Sequence, residues 1–404
     1  MPVNPKPTYR EKSQTPLSHS APVWGVSALG NSNNITEKSG GDSRHFALDV
    51  MRVIACFMVI VVHVASADIS GGGFDRLSRF DWLSMLAVGT IARPAMPLFI
   101  MLSGALMLHY TREHYGKYLA IKTGKLVGLY LTFALGYIGI SIALDDGLFN
   151  EARLLPDLLG GFGLPYFHLY FLLILLGLYL ITPLLSAIRH LSTRTIIIGI
   201  AGLGALTNAD LLLREYQNVA LGNLSLHDRF IAYLPYYLLG YIVVHRWGGS
   251  IRHSGIIALG CIIAIMIACY TMTANAGRWN GNMVFSYENL LVVALSIAIF
   301  GLLYRFGQWC EKRVFRVHKK ALVWMGKQSV WVYLIHVFVL RMLQKIEAFG
   351  PLAVWFYQPV KALMLSIAIM VICYAIIYGC QIIGRGLRHT LGGLAYISRA
   401  SRIS

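Results

Sequence analysis

Charged residues are scarce in this chain: only 13% of its 404 residues are Asp, Glu, Lys or Arg, whereas 56% are hydrophobic. A soluble protein of this length needs about twice that share of charge to cover its surface, so the composition argues against a soluble globular fold. The six cysteines form no Cys-x-x-Cys pair. A disulfide framework and a zinc site are therefore not indicated, and we expect no bound metal.

The hydrophobic residues come in long blocks, and blocks of 18 or more are typical of transmembrane helices. We predict an all-α, polytopic membrane protein of about ten spans within residues 46–384. Residues 1–45 are rich in Pro, Ser, Asn and Lys without periodicity, which predicts a disordered cytoplasmic tail. A basic cytoplasmic tail is expected over 385–404. The predicted spans are 46–67, 85–108, 124–144, 166–187, 195–213, 230–245 (short), 254–273, 287–304, 321–341 and 361–384.

The charges behind the net +17 are distributed unevenly between the two sides of the membrane. With a cytoplasmic amino terminus, the inner segments hold 23 of the 35 Lys and Arg, and the outer side holds 12 of the 18 acidic residues. This asymmetry follows the positive-inside rule and places both termini in the cytoplasm. The basic character therefore reflects topology, and we expect contact with membrane lipids but no nucleic-acid partner.

The first span, FALDVMRVIACFMVIVVHVASA (46–67), carries two residues that burial in a bilayer should exclude. Arg52 and His63 share one helix face and lie about 16 Å apart along the axis, with Asp49 near the same stripe. An ionisable residue inside a span is expensive unless it faces a polar interior, so it marks a functional site. Histidine transfers protons near neutral pH, and arginine binds phosphate or a developing oxyanion.

Other spans carry polar residues as well. The ninth span places Ser329, Tyr333 and His336 on one stripe, and His336 should lie at the depth of His63 because both spans run outward. The alternative is that His336 is only an interhelical hydrogen-bonding group.

Two more ionisable residues belong to the predicted outer half. Arg93 in the second span is followed by Pro94 and Pro97, which should bend or unwind that segment. Arg93 could instead snorkel to the interface or pair with an acid. His168 lies at the outer edge of the fourth span, where it could simply be a member of an aromatic belt.

Two basic runs on the inner side could hold a polyanionic cytoplasmic cofactor such as a nucleotide or coenzyme A, or could only set the topology. One is the stretch 312–320. The other precedes the third span and contains Arg112, Lys117, Lys122 and Lys125.

Four segments in order resemble acyltransferase family 3, the multi-pass membrane O-acyltransferases. Arg52-x10-His63 is similar to the first-helix signature of the family, and RPAMPLFIMLSG from Arg93 to its second-helix pattern. PYFHLYF resembles its His-Leu-Trp-Phe segment, and SVWVYLIH its late Ser-x-x-x-Tyr-x-x-His pattern. The resemblance covers about 46–384 and is greatest to the branch containing the enterobacterial common antigen O-acetyltransferase. Lys122 and Lys125 replace the Arg-x-x-Arg pair of many relatives.

The resemblance implies transfer of an acyl group, usually acetyl, from cytoplasmic acyl-coenzyme A to a hydroxyl of a cell-envelope glycan or lipid-linked saccharide, at the cell inner membrane. Acetyl-coenzyme A would be the donor substrate, not a permanently bound cofactor. We hypothesise that His63 is the general base and that Arg52 orients the pantetheine arm or stabilises the oxyanion. Lys122, Lys125 and Arg112 would hold the nucleotide phosphates, while Arg93, His168, Tyr333 and His336 would line the acceptor side.

A different class of function also fits the polar stripe. A proton-coupled transporter or flippase for a lipid-linked sugar or small solute could use His63 and Arg52 as coupling groups, and a membrane scaffold would leave them without a role. Labelled acetyl-coenzyme A separates these readings, because only an acyltransferase consumes it. The identity of the acceptor and the acyl chain stay open.

Overall fold

A computed structural model of the chain describes residues 41–109, 115–144, 167–216, 226–249, 251–345 and 357–400, and no strand occurs among them. The tail predicted over 1–45 lies outside the described residues up to position 40, and so does Arg112. The α-helices are α1 Gly41–Ile69, α2 Gly73–Arg76, α3 Arg79–Ala92, α4 Ala95–Met107, α5 Tyr115–Leu144, α6 Tyr170–Leu185, α7 Thr193–Tyr216, α8 Leu226–Tyr241, α9 Ser254–Ala276, α10 Asn282–Phe285, α11 Leu290–Arg313, α12 Arg316–Lys345 and α13 Gln358–Ala400.

Within the described residues, nine helical segments are long and apolar enough to cross a membrane, and the shortest of them has 21 residues. The prediction of an all-α polytopic membrane protein is therefore confirmed. The predicted sixth span differs from the others. There α8 has only 16 residues and continues as a five-residue π-helical turn, Ile242–Arg246. This segment is buried against α4 rather than exposed on the outside of the bundle.

Both ends of the helical region extend beyond the predicted spans. The first helix already begins at Gly41, inside the predicted amino-terminal tail. At the other end, α13 continues to Ala400 and takes in most of the predicted basic tail.

The first helix is the central element, packed against α3, α4, α11, α12 and α13. Its polar stripe faces α12, which runs in the same direction. Near the start of the contact, a Cβ added at Gly326 would lie 2.8 Å from the carbonyl oxygen of Asp49. Further along, the Cys56 thiol donates to the Ser329 carbonyl oxygen at 3.2 Å. The two helices are thus aligned as the equal-depth prediction requires.

The predicted second span is two helices separated by a break. The first of them, α3, ends at Ala92, and α4 begins at Ala95, with Arg93 and Pro94 between them. Proline cannot donate the backbone hydrogen bond of a continuous helix, and the helix is interrupted where Pro94 predicts a disturbance.

Helices α4 and α8 cross at a close approach of their backbones. A Cβ added at Gly104 would lie 1.8 Å from the Tyr237 carbonyl oxygen, and one at Gly240 would lie 1.9 Å from the Met101 carbonyl oxygen. Only glycine fits at either position, as is common where membrane helices pack tightly. The crossing fixes the position of α4, which carries Ser103 and begins two residues after Arg93.

Candidate active site

Three histidines from distant parts of the chain meet beside the central helix. The ring centroid of His63 on α1 lies 5.1 Å from that of His336 on α12 and 6.3 Å from that of His168, in the 3-10 turn Phe167–Leu169 before α6. The His168 and His336 centroids are 5.2 Å apart. His168 and His336 are buried, whereas His63 is partly exposed. We call these three residues the histidine cluster.

Backbone carbonyl groups of α12 orient the two buried rings. His336 Nδ1 lies 2.6 Å from the Tyr333 carbonyl oxygen, one turn earlier in the same helix. His168 Nε2 lies 3.4 Å from the Leu334 carbonyl oxygen, which also accepts a hydrogen bond from the Tyr137 hydroxyl. The Tyr333 hydroxyl in turn donates to the main-chain carbonyl of His168. The polar stripe predicted on the ninth span therefore forms part of the cluster.

Three neighbouring imidazoles raise the question of a metal ion. No group of three or more His, Cys, Asp or Glu among the described residues is arranged to hold one. In the cluster, one nitrogen of His168 and one of His336 face carbonyl oxygens, which fixes the orientation of these two rings.

Arg93 lies at the depth of the histidine cluster. Helix α3 runs antiparallel to α1, and a Cβ added at Gly89 would lie 3.9 Å from the Cβ of Ala65. Arg93 follows Gly89 by about 6 Å along α3, and His63 precedes Ala65 by about 3 Å along α1, so Arg93 and His63 lie within about 3 Å of the same depth. The positive charge of Arg93 also acts electrostatically on His63.

The guanidinium of Arg93 is held in a fixed orientation. Its Nε donates to the Phe285 carbonyl oxygen at 2.6 Å, and its Cζ lies 4.1 Å from the centre of the Tyr287 ring. Within the described ranges, no acidic side chain forms an ion pair with Arg93. Arg93 is therefore a positioned cation whose remaining N–H groups can bind an anionic or strongly polar group.

A second group of charges lies at the other end of α1. Arg52 donates to Asp49 within the helix, and both side chains are largely buried. Lys122 on α5 is only 7% exposed and lies within electrostatic range of Arg52 and of the exposed Lys125. We call Arg52, Lys122 and Lys125 the basic cluster. The hydroxyl of Tyr179 contacts Ser103 and also lies within range of Arg52.

The comparison with known families follows this geometry. A family model described as an acyltransferase domain, that of acyltransferase family 3, matches residues 45–378. The chain belongs to acyltransferase family 3. No curated protein and no solved structure gave a significant match. Together with the nine apolar helices, the family makes this chain a multi-pass membrane acyltransferase.

The sequence-predicted site residues fall into two groups in this family member. The structure brings His63, His168, Tyr333, His336 and Arg93 together at one end of α1, and Arg52, Lys122 and Lys125 together at the other. The predicted position of Arg112 lies outside the described residues. The two groups are separated by the 16 Å or so between Arg52 and His63.

Two features of the bundle had no clear signal in the sequence. Tyr137 lies in an apolar stretch of α5, yet its ring packs against His168 with centroids 5.8 Å apart. His109 and His245 stack with ring centroids 4.1 Å apart and planes within 6°. His245 lies on the π-helical turn and contacts the Ala105 carbonyl oxygen at 2.7 Å. Nothing in the spacing of these residues along the chain predicts the pairing.

Proposed function

We propose that this membrane acyltransferase transfers an acyl group, preferably acetyl, from cytoplasmic acyl-coenzyme A to a hydroxyl of a cell-envelope glycan or lipid-linked saccharide at the inner membrane. The observation that carries the proposal is the pair of clusters on one helix, basic at one end and histidine-rich at the other. A polyanionic donor fits the first cluster, and proton transfer from a hydroxyl fits the second.

His63 is the general base of this proposal, because it is the partly exposed member of the histidine cluster. It removes the proton of the acceptor hydroxyl while the oxygen attacks the thioester carbonyl carbon and forms the new C–O bond. The C–S bond then breaks, and the proton returns from His63 to the coenzyme A sulfur. The reaction needs no metal and no redox partner.

The two arginines have different tasks in this scheme. A general base and the group that stabilises the oxyanion must both lie about 3 Å from the reacting atoms. Arg52 lies about 16 Å from His63, so the two cannot serve the same carbonyl group. Arg93, level with His63 and without an ion pair in the described residues, is the cation suited to the oxyanion. Arg52 then has the role of orienting the pantetheine arm of the donor.

The basic cluster receives the donor. Phosphate groups of coenzyme A bring negative charge to a region where the cations Lys122 and Arg52 lie close together. Phosphate binding would relieve the mutual repulsion of these cations, which favours association. Lys125, being exposed, contributes mainly to long-range attraction.

The acceptor side combines hydroxyl-bearing rings with an apolar cleft. Tyr170 and Tyr233 bring their hydroxyl oxygens within 3.3 Å of each other, and the Tyr233 ring packs on Tyr287 beside Arg93. Such side chains both donate and accept hydrogen bonds, as a polyhydroxylated acceptor requires. A cleft of about 220 Å³ between α5 and α12 is lined mainly by hydrophobic residues and includes Tyr137. It favours an acceptor that carries a hydrocarbon chain.

The test uses membranes that contain the wild-type protein, His63→Ala or His190→Ala, incubated with labelled acetyl-coenzyme A. His190 is an exposed imidazole outside both clusters and serves as the matched control. We expect labelled glycan with wild type and His190→Ala, and a loss of about 10²–10⁴-fold with His63→Ala.

Undiminished acetylation with His63→Ala would contradict the assignment of the base. If wild-type membranes left acetyl-coenzyme A intact while carrying a solute or lipid-linked sugar across the bilayer, the transport alternative would replace the acyl-transfer proposal. The expected membership of the common-antigen branch stays a prediction, which acceptor analysis of the labelled product would test.

A further inference from the structure

The two ring nitrogens of His336 differ in what they can do. Nδ1 faces the Tyr333 carbonyl oxygen at 2.6 Å, and a carbonyl oxygen can only accept a hydrogen bond. Nδ1 therefore carries the hydrogen, and in the neutral ring Nε2 presents a lone pair. This is the orientation of a catalytic imidazole, one nitrogen anchored and the other available as a base.

Nε2 of His336 has no hydrogen-bond partner in the part of the chain that the structure describes, although the residue is only 1% exposed. Buried polar atoms are almost always paired, because leaving one unpaired is expensive. An unpaired buried lone pair is explained if a hydrogen-bond donor becomes available to it during the reaction. A histidine with only a packing role would not need such a donor.

His63 is placed to supply that partner. A single hydrogen bond of about 2.9 Å between two imidazole nitrogens sets the ring centroids about 5 Å apart. The observed separation of the His63 and His336 centroids is 5.1 Å. His63 is the partly exposed ring that an acceptor reaches first, and His336 lies buried behind it.

We infer that His336 Nε2 accepts a hydrogen bond from the imidazolium that His63 becomes when it takes the proton of the acceptor hydroxyl, which makes His336 a positioning residue for the general base. This inference rests on the proposed function. As the C–O bond forms, the proton moves to one nitrogen of His63, and the other N–H of the resulting imidazolium donates to His336 Nε2. When the C–S bond breaks, the proton leaves His63 for the thiolate sulfur and the hydrogen bond to His336 relaxes. Only His63 gains a proton in this step and His336 stays neutral, so the two rings are never charged together.

The decisive variant is His336→Asn. An asparagine amide can still donate to the Tyr333 carbonyl in place of Nδ1, but it has no base at the position of Nε2. His336→Gln is the complementary change, because it reaches the position of Nε2 with an amide. Both variants are compared with His190→Asn, an exposed imidazole outside the site, in membranes that contain the full-length protein.

We expect His336→Asn and His336→Gln to lower kcat for acetyl transfer from acetyl-coenzyme A by about tenfold or more, with KM for acetyl-coenzyme A unchanged. Because His336 acts through His63, the double variant His63→Ala/His336→Asn should be no slower than His63→Ala alone. The thermal stability of the detergent-extracted protein should be the same for His336→Asn and wild type, which separates this role from a structural one.

A kcat of His336→Asn equal to that of wild type would overturn the inference. A double variant in which the two losses multiply would overturn it too, since His336 would then act independently of His63. Either result leaves the acyltransferase proposal standing as long as wild-type membranes transfer acetyl. Wild-type membranes that transfer none would refute the proposed function and, with it, this inference.

Discussion

Arg93→Gln tests whether the cation at the histidine cluster takes part in the reaction or only in packing. Glutamine keeps a side chain that can donate a hydrogen bond to the Phe285 carbonyl but removes the charge. Two unit charges 4 Å apart attract by about 4 kcal/mol at an effective dielectric constant of 20. Loss of one donor to an oxyanion costs about 10²–10³ in kcat, which is the same size. We therefore expect kcat to fall by about 10²–10³.

The melting temperature of Arg93→Gln should not fall together with its kcat. A guanidinium inside a span and without an ion pair among the described residues is expensive to bury, so its neutral replacement should leave the melting temperature unchanged or raise it. Arg93→Lys keeps the charge but loses the planar contact with Tyr287, and we expect a smaller loss of about tenfold.

The assay measures initial rates of coenzyme A release and of acetyl transfer in membranes over a range of acetyl-coenzyme A concentrations. Arg52→Gln is the matched comparison, because the same change is made at the other end of α1. For Arg93→Gln we expect a lower kcat with an unchanged KM, and for Arg52→Gln mainly a higher KM. The reasoning is refuted if the two variants have the same kinetic phenotype, or if Arg93→Gln loses activity only because it melts at a lower temperature.

Two further predictions concern the basic cluster and the helix crossing. Lys122→Gln should raise KM for acetyl-coenzyme A by about tenfold, whereas Lys125→Gln should change this KM by about twofold or less. The reason is that Lys122 is buried beside Arg52, whereas Lys125 is exposed. Equal changes of KM in the rate assay would argue against direct contact of Lys122 with the donor. Gly240→Ala should destabilise the protein by about 1–3 kcal/mol or more, because the added Cβ would meet the Met101 carbonyl oxygen at 1.9 Å, whereas Gly255→Ala places its Cβ in open space. Thermal melting of the two alanine variants checks this, and equal melting temperatures would contradict it.

The equal depth of His63 and His336 was predictable from the sequence for a physical reason. The length of apolar blocks fixes the spans, and the charges of the loops fix their direction. Two spans of the same direction then place residues of similar position at the same depth, and a polar face turns away from lipid. That the first and ninth spans are neighbours, so that the two rings meet, came only from the structure.

The chemical division between the two arginines could not be predicted in the same way. Arg52 and His63 share a stripe, so their spacing suggests one site, whereas the structure places Arg93 from another helix at the level of His63. The level of Arg93 depends on how α3 packs on α1, through the contact of Gly89 with Ala65. Such packing contacts involve residues far apart along the chain and leave no periodic signal. The same is true of the His109–His245 stack.

The separation of the basic cluster from the histidine cluster constrains the path of the substrates. If phosphate groups are held near Lys122 and Arg52, the reacting thioester carbon has to lie about 16 Å further along α1 to meet His63. Only a long, extended donor arm can bridge that span, so the donor must thread between α1 and its neighbours. The acceptor has to come from the other end, since Arg93 and the tyrosines flank the histidines there. Under the proposed function, neither substrate would have to cross the whole bilayer, because the two would meet at His63, each entering from its own side.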